Sequence, residues 1–372
     1  MSGIAVLIGT RPEAIKLMPV VRALQSAGTA PSVWVTGQHR EMLEPILAEL
    51  DLRADEHLQV MQPGQGLADL SARVLTATRD LVARHRPRAL VVEGDTTSVA
   101  MGALAAYYEG VGVAHVEAGL RTGDRRNPFP EEANRRLVAC VADLHFAPTP
   151  RARDNLLREG VDPATVHLVG NTVIDALFHA RDHLVSRLPP DPALDAVPAR
   201  PRRLVLVTAH RRESFGPDLR AITEGLRRLA RALPGQVEIV YPVHLNPQVD
   251  GPVREALGGI DNIHLTAPLG YLRFVQLLLR AVLVITDSGG VQEEAAALGI
   301  PLLVARRTSE RMEAVEAGVA EMVGPDADRI LASASRLLGD PQAWAQRARP
   351  TPVFGDGRAG PRIAAALLRA FA

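Results

Sequence analysis

Short apolar runs alternate with longer amphipathic stretches along this whole chain, and that alternation admits few folds. Runs rich in β-branched residues fall at 4–8, 32–35, 89–92, 113–116, 145–147 and 166–169, then at 204–207, 237–241, 262–265, 283–285, 302–305 and 321–323. Between them, stretches such as 14–27 and 67–84 carry apolar residues at helical spacing. Strands spaced by helices read as βαβ crossovers and parallel sheets. Two series of about six strands predict an α/β protein with two Rossmann-like domains whose parallel sheets face a cleft. Residues 173–188 read as a helix, and Pro189-Pro190-Asp191-Pro192, with Pro198 and Pro201 behind it, cannot continue one. The boundary is placed near Thr172, giving domains 1–172 and 173–359, with a last helix at 360–372.

The charge balance narrows the function classes. Forty-two basic residues face 42 acidic ones, so nothing draws the chain as a whole to nucleic acid or to an anionic membrane. Cys140 is the only cysteine, which excludes an internal disulfide, argues against a cysteine metal cluster and fits a reducing cytosol. No apolar run approaches the ~18 residues of a membrane helix, and the first residues run into a strand without a basic leader. A cytoplasmic protein is expected.

Polar residues recur just after the apolar runs: Thr10-Arg11, Gln38-His39, Asp95-Thr96, Glu117, His210-Arg211, His244 and Asp287-Ser288. Ligands of doubly wound sheets bind outside the carboxyl ends of the strands, so both halves present chemistry at that edge. In the stretch 285–295 a strand ends, Ser288, Gly289 and Gly290 turn the chain, and a helix begins; free N–H groups there suit phosphate. Glu293 and Glu294 behind it either complement the helix dipole or accept hydrogen bonds from ribose hydroxyls. No GxGxxG follows the first strand and no GxxxxGK[ST] occurs, so neither dinucleotide nor P-loop binding is supported. Asp95, Glu117 and Glu131 put three carboxylates near one edge, where crowding can raise one pKa and suit it to acid–base work. Arg11, Lys16, His210 and Arg311, drawn from both halves, suggest a diphosphate held across the cleft. Lys16 is the only lysine in the chain. A compact ammonium can meet one phosphate oxygen where a guanidinium fork does not fit.

Segments carrying these residues, in order over nearly the whole chain, are GTRPEAIKL (9–17), TGQHREML (36–43), MQPGQGL (61–67), GDTTS (94–98), HVEAGLRTGD (115–124), PFPEEANR (128–135), GNTVIDAL (170–177), TAHRRESFG (208–216), YPVHLNP (241–247), DSGGVQEEA (287–295) and ERMEAVEAG (310–318). With them the chain resembles the bacterial non-hydrolysing UDP-N-acetylglucosamine 2-epimerases. That resemblance implies the glycosyltransferase-B architecture, with the last helix crossing back onto the first domain and UDP bound by the second. It implies that Arg11, Lys16, His210, Ser288, Gly289, Gly290 and Arg311 meet the UDP phosphates, that Glu294 binds the ribose, and that Phe274 lies near the uracil. Asp95, Glu117 and Glu131 become the catalytic carboxylates, with His210 counted among the catalytic groups as well. Gln38, Gln65, Arg212 and His244 would line a second site, where UDP-N-acetylglucosamine acts as an activator. The family also implies a homodimer.

The implied reaction interconverts UDP-N-acetylglucosamine and UDP-N-acetylmannosamine. UDP leaves C1 while a base takes the C2 proton, giving 2-acetamidoglucal, and UDP adds back as C2 is protonated on the other face. Neither a cofactor nor a metal is needed. Three alternatives remain: a UDP-sugar-dependent glycosyltransferase of the same fold, a hydrolysing 2-epimerase, and a non-catalytic nucleotide-sugar sensor. The chain departs from the family's pattern at Glu93, where His is usual, and at Arg307 and Met312, where an acid and a proline are usual. These departures bear on substrate preference.

Overall fold

Strands β1 (Ile4–Ile8) and β4 (Ala89–Glu93) are buried along their whole length. Near-continuous apolar strands of this kind arise when helices cover both faces of a parallel sheet. The computed structural model describes residues 3–37, 40–62, 64–195, 197, 203–211 and 214–371. They form two compact units, Met1–Ala176 with Phe354–Ala372, and Leu177–Val353.

The first unit adds β2 (Ser32–Val35), β3 (Glu56–His57), β5 (Gly112–Val116), β6 (Leu144–Ala147) and β7 (Val166–Leu168). Its sheet is parallel, in the order β3-β2-β1-β4-β5-β6-β7. The second unit holds β8 (Arg203–Thr208), β9 (Val237–Pro242), β10 (Ile263–Thr266), β11 (Ala281–Thr286), β12 (Leu302–Val304) and β13 (Ala320–Met322). Its sheet is again parallel, in the order β10-β9-β8-β11-β12-β13. The two-domain Rossmann-like reading therefore holds, and both sheets share the doubly wound order. In such a sheet the crossovers leave in opposite directions from two adjacent central strands, and a crevice opens at their carboxyl ends. Those strands are β1 and β4 in the first unit, β8 and β11 in the second.

Two details depart from the sequence reading. The first sheet gains a seventh strand, β3, because its two residues pair with Trp34 and Val35 although they carry no period of their own. Residues 173–188 are not one helix: Thr172–His179 passes into a π turn at Ala180–Leu184 and a 3₁₀ turn at Val185–Arg187. The proline-rich stretch behind them admits one short helical turn, Pro192–Asp195.

Each unit has its own apolar core. In the first, Ala5, Leu7, Leu90 and Val92 of the central strands pack against Val99, Ala103 and Ala106 of helix Thr97–Tyr108. In the second, Val205, Val207, Ile239 and Ile285 meet Ile222, Leu226 and Leu229 of helix Pro217–Ala232. Helix Ala359–Phe371 closes the first unit against helix Arg11–Ser26. Asp175 holds the start of that closing helix, accepting from the N–H of Ala359 at 3.1 Å and of Gly360 at 2.8 Å. A Cβ at Gly360 would come within 2.7 Å of the Pro19 carbonyl oxygen, so only glycine allows this approach. No helix among the described residues is long and apolar enough to cross a membrane.

Candidate active site

In the first unit, polar side chains converge where β1, β4 and β5 end. Lys16, in the second turn of its helix, donates to Glu93 Oε1 at 3.0 Å and to Glu117 Oε2 at 2.5 Å. Asn171 Nδ2 donates to the same Glu117 oxygen at 2.7 Å. Glu117 follows β5 with φ of +61°, in the left-handed region. For a residue with a branched chain of atoms beyond Cβ that conformation costs roughly 1–3 kcal/mol, and it persists where surrounding bonds enforce it. Here the backbone is held on either side, Val116 accepting from Gly94 N at 3.1 Å and Ala118 N donating to the Phe146 carbonyl at 3.0 Å, while the ammonium and the amide hold the carboxylate.

A second acid lies behind the lysine. Glu13 is 2% exposed and accepts from Gly9 N at 2.5 Å and from Thr96 Oγ1 at 2.9 Å, tying the loop after β1 to the loop after β4. Burial pushes its carboxyl up to about 7, against the pull of those donors. Burial also raises Glu93 well above the carboxylate range; Lys16 opposes that shift, while Glu117 and Glu13 add to it. His115, fully buried, donates from Nε2 to the Gly94 carbonyl at 2.8 Å, and burial lowers it to about 3, so it is neutral.

Asp95 and Glu131 stand apart from this lysine cluster in their partners. Arg135 grips Asp95 Oδ2 through Nε and Nη2, both at 2.8 Å. Asn134 Nδ2 donates to the Asp95 carbonyl at 2.8 Å. Glu131 begins helix Glu131–Val141, and its Oε2 is shielded from solvent with no hydrogen-bond partner among the described residues. Its neighbour Glu132 is taken up by Arg135, Arg136 and the amides of Thr122 and Gly123. Arg11 opens helix Arg11–Ser26 and is half-buried.

The second unit builds a different edge. Asp287, fully buried after β11, accepts from the N–H groups of His210 and Arg211 at 2.9 Å each, which binds the loop after β8 to the loop after β11. The His210 ring stacks on His244, centroids 5.3 Å apart and 16° from parallel. Burial lowers the His210 pKa, helped by His244 and Arg211 and opposed by Asp287. Ser288 stands at the start of helix Gly289–Leu298 without capping it through its side chain. The first N–H groups of that helix are thus left for an anion. Arg311, 6% exposed, donates to Glu293 Oε1 and Glu310 Oε1, both at 2.6 Å. A Cβ on Gly289 would stand 2.6 Å from the Arg311 Cζ, so glycine here makes room for the guanidinium. Burial alone would raise Glu310; Arg311, Arg306 and Arg211 together hold it far below the usual carboxylate range. Glu294 is 4% exposed in the same helix, and Phe274 is half-buried in helix Tyr271–Arg280.

With this geometry in place, similarity to known proteins is decisive. The sequence profile of the family described as UDP-N-acetylglucosamine 2-epimerase matches residues 22–368. The UDP-N-acetylglucosamine 2-epimerase of Yersinia pestis is 46% identical over 369 residues, which cover 97% of each chain. The chain belongs to the UDP-N-acetylglucosamine 2-epimerase family. The crystal structure of the Neisseria meningitidis family member bound to UDP-GlcNAc covers 98% of this chain and 99% of its own, at 38% identity and a TM-score of 0.92. A glycotransferase of kitacinnamycin superposes over 100% of both chains at a TM-score of 0.66 but 14% identity, a likeness of fold alone. The 2-epimerase fold is thus the glycosyltransferase-B architecture.

Among the residues expected to serve a second substrate molecule in 2-epimerases, Gln38 and Arg212 lie outside the described residues. Gln65 precedes helix Leu67–His85 and donates to the Met61 sulfur at 3.0 Å, and His244 is exposed beneath His210. Of the departures from the family's pattern, Arg307 makes a two-pronged bond to Asp218 at 2.6 and 3.0 Å, with its side chain 73% exposed. Met312 begins the short helix Met312–Glu316. Glu93 stands in the cluster itself. Glu13 and Glu93 are the acids that sequence reasoning did not assign to the site. The signal was present in the motif holding Glu13 and in the unusual residue before Gly94, but neither names its partners, Gly9 and Thr96 for Glu13 and Lys16 for Glu93. Among the described residues, no group of three or more His, Cys, Asp or Glu side chains is disposed to hold a metal ion.

Proposed function

We propose that this chain interconverts UDP-N-acetylglucosamine and UDP-N-acetylmannosamine without hydrolysing them, by elimination and re-addition of UDP. The observation that carries the reading is the cluster in which Lys16 and Asn171 converge on Glu117, a buried, strained carboxylate at the carboxyl end of the sheet. A proton on C2 of a 2-acetamido sugar is not acidic, so its removal must be coupled to loss of the C1 substituent. The C1–O bond breaks with its electron pair going to UDP, the C2–H pair becomes the C1–C2 double bond, and a carboxylate takes the proton. Re-addition reverses these events with the proton delivered to the opposite face.

Asp95, Glu117 and Glu131 are the proposed carboxylates, and His210 is counted among the proposed catalytic groups. Arg11, Lys16, Arg311, Ser288, Gly289 and Gly290 meet the diphosphate, Glu294 the ribose and Phe274 the uracil. Preorganised charge aimed at departing UDP can supply a large part of the rate. Lys16, already bonded to Glu117, links the group that takes the proton to the group that leaves. The family resemblance further supports a homodimer and a second UDP-N-acetylglucosamine as activator, using Gln65 and His244 together with Gln38 and Arg212.

The test is incubation with UDP-N-acetylglucosamine in D₂O, followed by NMR. Deuterium at C2 of UDP-N-acetylmannosamine, and the same mixture reached from either sugar, are expected. Free N-acetylmannosamine with stoichiometric UDP would identify a hydrolysing enzyme. Retention of the C2 proton in every product would point to a glycosyltransferase. Binding without turnover would leave a sensor.

A further inference from the structure

The Lys16 ammonium is held between two acids, Glu93 and Glu117, and Glu93 has no part in the proposed reaction. Glu93 is 2% exposed, ends β4, and receives a hydrogen bond from Lys16 at 3.0 Å. On its other side Lys16 reaches Glu117, whose oxygen also receives Asn171. An apolar side chain would fill a buried strand end at less cost than a carboxyl group, which must be taken from water. Replacing a buried ionic group with a neutral one of similar volume is often neutral or stabilising, so packing gives no reason for an acid here.

We propose that Glu93 is a positioning residue for the reaction assigned above: it holds the Lys16 ammonium against Glu117, and its own charge sets how much of the lysine's field Glu117 receives. When Glu93 carries a proton, Lys16 faces one charged carboxylate there and Glu117 takes its full attraction. When Glu93 loses that proton, two carboxylates divide the ammonium and repel one another. The groups facing Glu93 are Glu13 and Lys16 from helix Arg11–Ser26 and Glu117 from the end of β5. Asp95 acts one step away, on Glu13, and is itself neutralised by Arg135. Burial favours the protonated form of Glu93, as do the two neighbouring acids, while Lys16 favours the ionised one. Burial and the two neighbouring acids outweigh Lys16, so Glu93 titrates above the usual carboxylate range.

The inference rests on the proposed epimerase reading, but it can be tested apart from activity because Lys16 is the only lysine. Lysine enriched with carbon-13 at the ε position gives a single side-chain signal in the full chain. In the wild type that signal should move as Glu93 titrates above the usual carboxylate range. In Glu93→Gln that movement should vanish, whereas in Glu13→Gln it should persist. The same Glu93→Gln variant should melt no lower than wild type and keep its KM. Its kcat profile should shift along the pH axis by about one unit, the effect of one charge within a few ångströms. Superimposable lysine titrations in wild type and Glu93→Gln would overturn the proposal, as would a lower melting temperature with an unmoved kcat profile. A lost inflection in a protein inert towards UDP-N-acetylglucosamine would sustain the positioning role and defeat the epimerase reading.

Discussion

Lys16 enters every account of this site, and its substitution separates charge from shape. Lys16→Arg keeps the charge, but a planar fork must fit where one ammonium bridges Glu93 and Glu117. Activity should fall while the fold persists. Lys16→Ala removes the donor, and turnover should drop about 10²–10³-fold, the usual effect of deleting one preorganised donor. Steady-state kinetics on both variants decides this, and near-normal rates in both would remove the lysine from the mechanism. Glu117 and Lys16 were legible in the sequence because each sits in a distinctive motif after an apolar run. Glu13 and Glu93 were not, since their significance depends on which strands are neighbours. Lys16 and Glu93 are 77 residues apart in the chain and meet only because β1 lies beside β4. Spacing along a sequence cannot report that adjacency. Arg307, conspicuous as a reversal of the usual charge, turns out to bind Asp218 on the surface.

Helix Ala359–Phe371 shows how one side chain secures an element. Its first amides would otherwise lack acceptors, and Asp175 supplies both oxygens to Ala359 and Gly360. Burial raises that carboxyl to about 6, against the pull of the same two amides. Asp175→Ala should cost about 0.5–2 kcal/mol, the range for losing a helix cap. Chemical denaturation measures the cost, and hydrogen exchange should show protection lost first in the amides of residues 359–371. An unchanged midpoint would mean that water satisfies those amides equally well. Most strands were readable because β-branched residues cluster in them. The two-residue β3 was not, as pairing with β2 rather than intrinsic pattern makes it a strand. The break of residues 173–188 into three helical forms was equally hidden, for all three present similar side-chain spacing over a few residues.

The same strand order twice in one chain was legible as two βαβ series, and it explains why polar groups follow β1, β4, β8 and β11. The first unit also carries opposing acid–base responses. His115 and His145, buried and neutral, fall from 6.5 to about 3 and about 4, chiefly through burial. Their unfolded forms take up protons first, so their contribution is present above pH 6.5 and is lost as pH falls towards 4. Glu13 rises from 4.5 to about 7, so its contribution is complete below pH 4.5 and is lost as pH rises through 7. Between those limits the two trends offset each other. Glu13→Gln should therefore melt with a steeper decline from pH 7 to 4.5 than wild type, as read by differential scanning calorimetry. Parallel curves would show that Glu13 does not hold its proton in the fold. The division of the chain has one more consequence, for synthesis on the ribosome. The first unit comprises Met1–Ala176 and Phe354–Ala372, so its closing helix is translated after the whole of the second unit. At roughly 5–20 residues per second, the nascent first unit waits for about ten to thirty seconds with the packing face of helix Arg11–Ser26 uncovered. Throughout that interval the unit translated first is the one that cannot be completed, and a chaperone that shields this face would act on it while it is still tethered to the ribosome.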